Sequence, residues 1–456
     1  MTPVDDPRPG VRALLARHGW NATSFQVFEP GFRYWFDDDA CVAYVDTGAA
    51  WVAAGAPIAA RERLDEVARR FVAAARAAGR RASFFASEQR FVDATGLPSL
   101  RIGEQPVWAP REWDATLATS RSLREQLRRA RAKGVAVRAV GPDEIVDPES
   151  TVRRAIERLA RRWLGSRAMA PMGFLVQLHL STFLEERRFF VAERAGEMVA
   201  FLAVVPIYAR EGWFLEDLVR DPTAPNGTPE LLVDAAMRAA AAEGRAHVTL
   251  GLAPLSGAVN RWLRFARRAG AGLYDFAGVR AFKEKLRPRD WEPVYLTFPV
   301  DGNAAIATWD ALAAFARGGL LAFGLESLSR GPAIVMRLLA ALLVPWTVAL
   351  ALVPAREFPS PCVRWAWVAF DVALVAALFA LTRRWRRPLA TIVLGALLAD
   401  VAVTVTEALA WNAQHSRSAV EWVLLLLAVL APALATWLVW RARAHRSRLD
   451  EAQAIN

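Results

Sequence analysis

The 456-residue chain changes its hydrophobic rhythm near residue 300. Before that point short strand-like runs alternate with helix-like ones. Cys41 to Asp46 and Trp51 to Ala54 read as strands, with Gly48 in the turn between them. Leu64 to Ala78 has apolar residues at helical spacing, and Ala82 to Ala86 returns to a strand pattern. A second series follows, opening with a helix over Thr151 to Trp163. Strands then read over Phe189 to Glu193, Glu197 to Tyr208 and Gly212 to Val219. A helix from Pro229 to Ala242 and a strand from His247 to Leu252 complete it. Long helices between short strands predict an α/β or α+β region, and no strong internal repeat is visible.

After residue 330 the polar positions thin out. Leu338 to Ala355, Trp365 to Thr382, Pro388 to Trp411 and Ala419 to Trp440 each approach the length that spans a bilayer of about 30 Å. The expectation is an all-α membrane region of four transmembrane helices. Arg383, Arg384, Arg386 and Arg387 separate the second and third runs, and Arg441, Arg443, Arg446 and Arg448 follow the fourth. The other two gaps hold only Arg356 with Arg364, and Arg417. That asymmetry predicts a multi-pass protein of a bacterial-type inner membrane, with the N-terminal region and C-terminus cytoplasmic. Asp371, Asp400 and Glu407 fall inside the runs, where helix-to-helix hydrogen bonding and a functional role both stand open. Four spans are few for a transporter, so anchoring is the main expectation.

Charge narrows the partners. Formal net charge is +11, which favours an anionic partner such as nucleic acid or acidic lipid. Lysine is rare: of 57 basic residues only Lys133, Lys283 and Lys285 are not arginine. Two cysteines, Cys41 and Cys362, form no CxxC, and the five histidines lack metal-ligand spacing, so no metal is expected. The N-terminus lacks the basic and apolar regions of a signal peptide, consistent with a cytosolic N-terminal region.

The strongest charge run is SRSLREQLRRARAKG, residues 120 to 134. Arg121, Arg124, Arg128, Arg129, Arg131 and Lys133 are offset only by Glu125, and Leu123 and Leu127 form a narrow apolar seam. A solvated amphipathic helix and a phosphate-binding helix both fit this pattern. Lys283 and Lys285 flank Glu284 in a second dense stretch. They are either surface charges or positions that need a compact ammonium. Ser256 sits in a Pro-Leu-Ser-Gly turn without a GxSxG elbow, which argues against a serine hydrolase. Asp217 and Arg220 lie three apart in a predicted strand and so face opposite ways unless the strand ends or bulges near Val219. A structural ion pair at a strand end is the plain alternative.

Six stretches together carry a family resemblance. They are WVAAGAPI (51 to 58), RIGEQP (101 to 106), RSLREQLRRARAKG (121 to 134), FLEDLVRDPTAPNG (214 to 227), LGLAPLSG (250 to 257) and FAGVRAFKEKLRPRDWEPVY (276 to 295). From about Ser24 to Phe298 the chain resembles the catalytic domain of phosphatidylglycerol lysyltransferases, the multiple peptide resistance factors. The resemblance implies two tandem N-acetyltransferase-like folds, about 1–118 and 136–300, joined by a basic helix at 119–135. A linker at 301–331, the membrane region at 332–441 and a basic tail at 442–456 would follow. It further implies an aminoacyl-tRNA donor and an anionic lipid acceptor such as phosphatidylglycerol, entering one tunnel from opposite sides. No cofactor is implied, since the acetyltransferase pyrophosphate loop is absent before Pro229.

Carried over by position, Asp217, Arg220, Lys283, Lys285 and Glu292 would be catalytic. Asp217 would bind the aminoacyl ammonium or act as base, and Arg220 would hold a phosphate or the oxyanion. Arg280 and Ser256 would bind substrate, and Arg121, Arg124, Arg128, Arg131 and Lys133 would meet tRNA phosphates. Two departures stand out: the family's flippase region precedes the catalytic domain whereas the apolar runs here follow it, and Ala56 replaces a usual acidic residue. Acyl-CoA-dependent N-acyl transfer and non-catalytic binding of tRNA or lipid are the alternatives.

Overall fold

A computed structural model describes residues 6–166, 172–178, 180–269, 274–316, 319–330, 332–352, 360–383, 386–412 and 419–454. Two compact units emerge: residues 1–165 with 171–320, and residues 321–456 with 166–170.

The first unit is organised by one twelve-stranded sheet. Its strands are β1 (Arg33–Asp37), β2 (Ala40–Asp46), β3 (Ala50–Ala54), β4 (Arg81–Glu88), β5 (Ser99–Trp108) and β6 (Val135–Val140). Then come β7 (Arg188–Arg194), β8 (Glu197–Ile207), β9 (Gly212–Arg220), β10 (His247–Thr249), β11 (Ala253–Pro254) and β12 (Asp290–Thr297). The order is β1-β2-β3-β4-β12-β5-β10-β9-β8-β7-β6, with β11 on β5. β3–β4 and β9–β10 pair in parallel and the rest antiparallel. β12, last in sequence, thus lies between β4 and β5, and β5 pairs with β10. The two expected halves share their hydrogen-bond ladder.

Helices α1 (Arg8–His18), α2 (Leu64–Ala77), α3 (Gln89–Thr95) and α4 (Trp113–Thr119) lie in the first half of this unit. α2 forms because Leu64, Val67, Ala68, Phe71 and Ala75 fall on one stripe, which is the buried face. Phe71 meets Tyr44, Trp51 and Phe84, so truncating it to Ala would cost about 3–5 kcal/mol. Next come α5 (Arg121–Ala132), α6 (Pro142–Val146), α7 (Thr151–Ser166) and α8 (Thr228–Ala242). Strand alternation in β7 and β8 feeds two cores: Phe190, Leu202 and Val204 face one, while Phe189, Phe201 and Ala203 face the other. α8 supplies Leu232, Ala236 and Met237 to the first, and α7 supplies Ile156 and Leu159 to the second.

The unit closes with α9 (Arg261–Ala269), α10 (Phe276–Lys285) and α11 (Ala304–Phe315). α11 and α12 (Leu320–Arg330) occupy the stretch expected to be a linker. β5 and β12 carry no clear strand pattern in the sequence, because Gly103, Pro106 and Pro293 interrupt it. β10 stops at Thr249 rather than Leu252: Thr249 Oγ1 donates to the Pro106 carbonyl and accepts from the Gly251 amide, and Gly251 turns at φ +67°.

The second unit is helical: α13 (Pro332–Leu352), α14 (Pro361–Arg383), α15 (Arg387–Glu407) and α16 (Ala419–Ala454). Two helices among the described residues are long and apolar enough to cross a membrane, Cys362–Leu381 and Arg387–Ala410. The apolar stretch of α13 is shorter, Leu339–Leu352, and α16 runs on through the expected basic tail as one helix. Arg356, Arg384 and Arg417, on which the topology reading drew, lie outside the described residues. Large apolar side chains such as Leu342, Phe379 and Ile392 face outward, around an inner core that includes Leu378, Val393 and Leu397. Asp371 is buried against the Thr347 hydroxyl at 3.4 Å, and Asp400 accepts from Thr404 at 3.1 Å.

Candidate active site

Three polar constellations occupy the first unit. One is built on β9. Its pairing with β8 slips between Ala203 and Val204, so that Glu216 is the extra residue of a bulge. An unbroken strand would send Glu216 and Asp217 to opposite faces. Here both address Arg187: Glu216 accepts from its guanidinium, and Asp217 feels its charge. The Arg187 and Glu216 side chains are almost wholly buried, at 0% and 2% exposure. Arg187 also donates to the Thr182 carbonyl at 3.0 Å and lies over the Phe25 ring.

Glu29 joins this cluster from the end of the 3₁₀ segment Ala22–Phe28, which it caps, and it is only 2% exposed. Neither of its carboxylate oxygens has a hydrogen-bond partner among the described residues; the same holds for Glu216 Oε1 and Asp217 Oδ2. Three carboxyl groups thus share one guanidinium. Burial, with Glu216 and Asp217 adding repulsion, pushes the Glu29 carboxyl up to about 10. Burial likewise lifts Asp217 well above the usual carboxylate range, helped by Glu216 and opposed by Arg187. A cavity of about 530 Å³ lined by Phe28, Glu29, Tyr34 and Thr182 lies beside the cluster. Among the described residues, no group of three His, Cys, Asp or Glu could hold a metal ion.

In the second constellation both carboxyl groups are hydrogen-bonded, although burial raises Glu88. Arg210 forms ion pairs with Glu292 at 2.7 Å and Glu88 at 3.2 Å, and its guanidinium lies over Trp20. Gln105 also donates to Glu292 at 3.2 Å, and the Ala22 amide donates to Glu88 at 3.1 Å. Burial would raise Glu292, but the hydrogen bonds and charge of Arg210 outweigh it and hold the carboxyl low. Beside them His247 is buried and pulled down to about 4, first by burial and then by Arg210.

The third holds the loop 250–257. The Lys283 ammonium, buried on α10, donates to the carbonyls of Leu250, Gly251 and Leu252 at 2.9, 2.8 and 2.9 Å. Burial pulls its pKa down to about 7. All three of its protons are committed to the loop. Further on, Ser256 donates to the Ala253 carbonyl at 2.7 Å, and Glu104 lies so close to Gly257 that a Cβ there would sit 2.3 Å from its Oε2. Glu104 pairs with Arg101 and Arg280, each at 2.9 Å, while Arg280 stacks on Trp291.

The expected site residues therefore fall into different settings. Lys283, Ser256 and Arg280 gather around the 250–257 loop. Lys285 pairs with buried Glu230 at the start of α8, and Glu292 belongs to the Arg210 network. Asp217 and Arg220 do not share a face. The bulge lies before Asp217, not near Val219, and the register runs regularly from Ala203↔Asp217 to Ala200↔Arg220, leaving Arg220 exposed on the opposite side. On α5 the charges are already engaged. Arg124 donates to the Leu117 and Ala118 carbonyls at the end of α4, Arg128 and Arg129 pair with Glu125, and Arg131 pairs with Asp234. Of the expected tRNA contacts, Arg121, Arg124 and Lys133 are exposed with no ion pair among the described residues, and of these only Arg124 is tied down, by the two carbonyls. Glu29, Arg187, Glu88, Arg210 and Glu104 were not anticipated. Glu216, adjacent to Asp217, was the one neighbour a local signal could have supplied.

A mixed α/β sheet domain with a buried carboxylate pocket, followed by apolar helices, defines the class, and comparison fixes the family. The family described as phosphatidylglycerol lysyltransferase, C-terminal, matches residues 12–298, and the chain belongs to it. It is 31% identical over 153 residues to the phosphatidylglycerol lysyltransferase of Bacillus subtilis, a match covering 31% of this chain and 17% of that protein. It is also 31% identical over 141 residues to the lysylphosphatidylglycerol biosynthesis bifunctional protein LysX of Rhodococcus opacus, covering 30% and 12%. The chain thus spans less than a fifth of the length of these curated relatives. Among solved structures, the L-PGS of Bacillus licheniformis shares the fold at TM-score 0.57 and 22% identity, covering 68% of this chain and 95% of that one. A C-terminal domain designated a lysylphosphatidylglycerol synthetase, from Agrobacterium fabrum, does so at TM-score 0.58 and 23% identity, covering 69% and 100%.

Proposed function

We propose that this protein is a membrane-anchored transferase that moves an aminoacyl group from aminoacyl-tRNA to the hydroxyl of a membrane lipid such as phosphatidylglycerol. Within the family, the observation that carries the reading is the carboxylate excess around Arg187. Buried acids without partners are costly unless a cation completes them, and an aminoacyl ester brings an ammonium. Asp217 and Glu29 would receive it, releasing protons as they ionise. The ester is already activated, so the step needs only proton transfer and oxyanion stabilisation. The lipid oxygen attacks the ester carbon, its proton passes to a base, and the ribose oxygen leaves with a proton. Asp217, held above the usual range by burial, suits either ammonium binding or that base.

Lys283 acts in this scheme by shaping the 250–257 loop, as a positioning residue. Arg121 and Lys133 are the open charges of α5 for tRNA phosphates. The apolar helices of the second unit would anchor the enzyme with its first unit cytoplasmic, so that substrate lipid is concentrated at the site.

The test is direct. Purified full-length protein in phosphatidylglycerol vesicles is given a panel of radiolabelled aminoacyl-tRNAs, and lipid extracts are scanned for label. Label in a ninhydrin-positive lipid, lost after ribonuclease treatment of the donor, is expected. No labelled lipid with any donor would overturn the reading. Reporter fusions after Arg448 and near His415 should report opposite sides of the membrane; the same side for both would defeat the four-span topology.

A further inference from the structure

Among the described residues, α9, RWLRFARRA, meets the rest of the first unit along one edge. Leu263 is buried, and the Arg267 guanidinium donates to the Leu255 carbonyl at 3.1 Å. The opposite face is open: Trp262 is 40% exposed, Phe265 is 72% exposed, and Ala266 is exposed between them. At 100° per residue these three lie side by side, with Arg261, Arg264 and Arg268 along the neighbouring stripe. None of those three arginines has an ion pair among the described residues, although ion pairs engage most charges of α5. Large exposed aromatics beside unneutralised cations on one short helix are the arrangement of an interfacial segment on anionic lipid. α11 also exposes Ile306, Trp309 and Leu312, but its sequence holds no arginine or lysine, so nothing there selects an anionic partner.

We propose that the exposed face of α9 docks on an anionic lipid surface, with Trp262 and Phe265 entering the headgroup boundary and Arg261, Arg264 and Arg268 on the phosphates. The inference deepens the reading of a lipid substrate and rests on it for purpose. The partner is lipid rather than RNA because the aromatics form a continuous apolar strip with Ala266 rather than a stacking groove. Since Arg267 ties α9 to Leu255, docking brings the 250–257 loop to the level of the headgroups. Leu255 itself turns at φ +56°, a backbone state a branched residue rarely takes, so the loop is held in shape rather than slack.

The experiment reads depth, not catalysis. Full-length protein carrying Cys362→Ala and Ala266→Cys, with the native Cys41 buried, is labelled with an environment-sensitive fluorophore. It is placed in nanodiscs of phosphatidylcholine alone or of phosphatidylcholine mixed with phosphatidylglycerol. A blue shift and quenching by spin-labelled lipid are expected in the anionic discs only. Joint replacement of Arg261, Arg264 and Arg268 by Gln should weaken docking about a hundredfold as anionic lipid is titrated. Trp262→Ser with Phe265→Ser should abolish the shift while circular dichroism stays unchanged. Solvent-like emission in the anionic discs overturns the proposal, as does a shift produced by added tRNA without anionic lipid. A shift in a protein that transfers nothing would leave docking standing and defeat the transfer reading. Transfer without a shift would do the reverse.

Discussion

Two charged clusters of similar composition behave in opposite ways. Around Arg210, Glu88 and Glu292 are hydrogen-bonded, and Glu292 stays partly open to solvent at 31% exposure. Around Arg187, three carboxyl groups compete for one cation with four oxygens unpartnered among the described residues. In the first arrangement each carboxyl group has its hydrogen bonds without a ligand. The second gains from an added cation, which is what separates a brace from a binding site. Lys283 is the mirror image of the second: a buried cation with no carboxylate, satisfied by three carbonyls.

The largest effect should come from removing the cation that each carboxylate group depends on. Arg187→Met leaves buried acids with no counter-charge and should cost about 3–5 kcal/mol in denaturant unfolding. Arg210→Met should cost less, because Glu292 can turn to water. Equal losses would erase the distinction.

Asp217→Asn should abolish aminoacyl transfer while leaving the denaturation midpoint unchanged or raised, since it removes a carboxyl group whose ionised form burial disfavours. Wild-type transfer by the purified variant would show that the pocket is not the site. Lys283→Arg comes next. A planar fork cannot place protons on three converging carbonyls, so a loss of about 1.5–3 kcal/mol and most activity is expected. Lys285→Arg should keep its pair with Glu230 and change stability by less than about 0.5 kcal/mol. A Lys285 loss as large as the Lys283 loss would contradict their different settings.

The smallest effect is a difference in pH dependence. With Glu29 raised to about 10, the native state keeps a proton that the unfolded chain releases above its ordinary value of 4.5. Its contribution to stability therefore falls as pH rises through that window. Glu292 is depressed, so its contribution is full above the ordinary value and is lost as pH falls through the depressed one. Glu29→Gln should gain on wild type as pH rises, and Glu292→Gln should gain as pH falls. Thermal melts across pH for both variants decide it; parallel curves would mean the two carboxyls sit in equivalent environments.

Elements whose own residues carry the pattern were legible in the sequence. α2 was expected over Leu64 to Ala78 and runs Leu64–Ala77, because its apolar stripe needs no partner to be seen. The apolar helices of the second unit were visible for the same reason. β12 was read as a motif rather than a strand, since its ladder to β4 and β5 joins residues about 190 to 210 positions apart. On α5 the Glu125 pairs with Arg128 and Arg129 follow from spacing, whereas the Arg131 pair with Asp234 needs α8 alongside.

The sequence by itself determined the alternation of elements, the family, the retained lysines and Asp217 as a candidate, because motif and periodicity are properties of neighbouring residues. Tertiary structure alone decided which charges are spent and which are free. Glu29 and Arg187 lie far from Asp217 in the chain and carry no local mark, and only burial beside Glu216 in one low-dielectric place turns them into a cation-seeking pocket. It also decided that Asp217 and Arg220 part company. A bulge at Glu216 rather than near Val219 is a matter of how β9 pairs with β8, and pairing partners are chosen by the whole sheet.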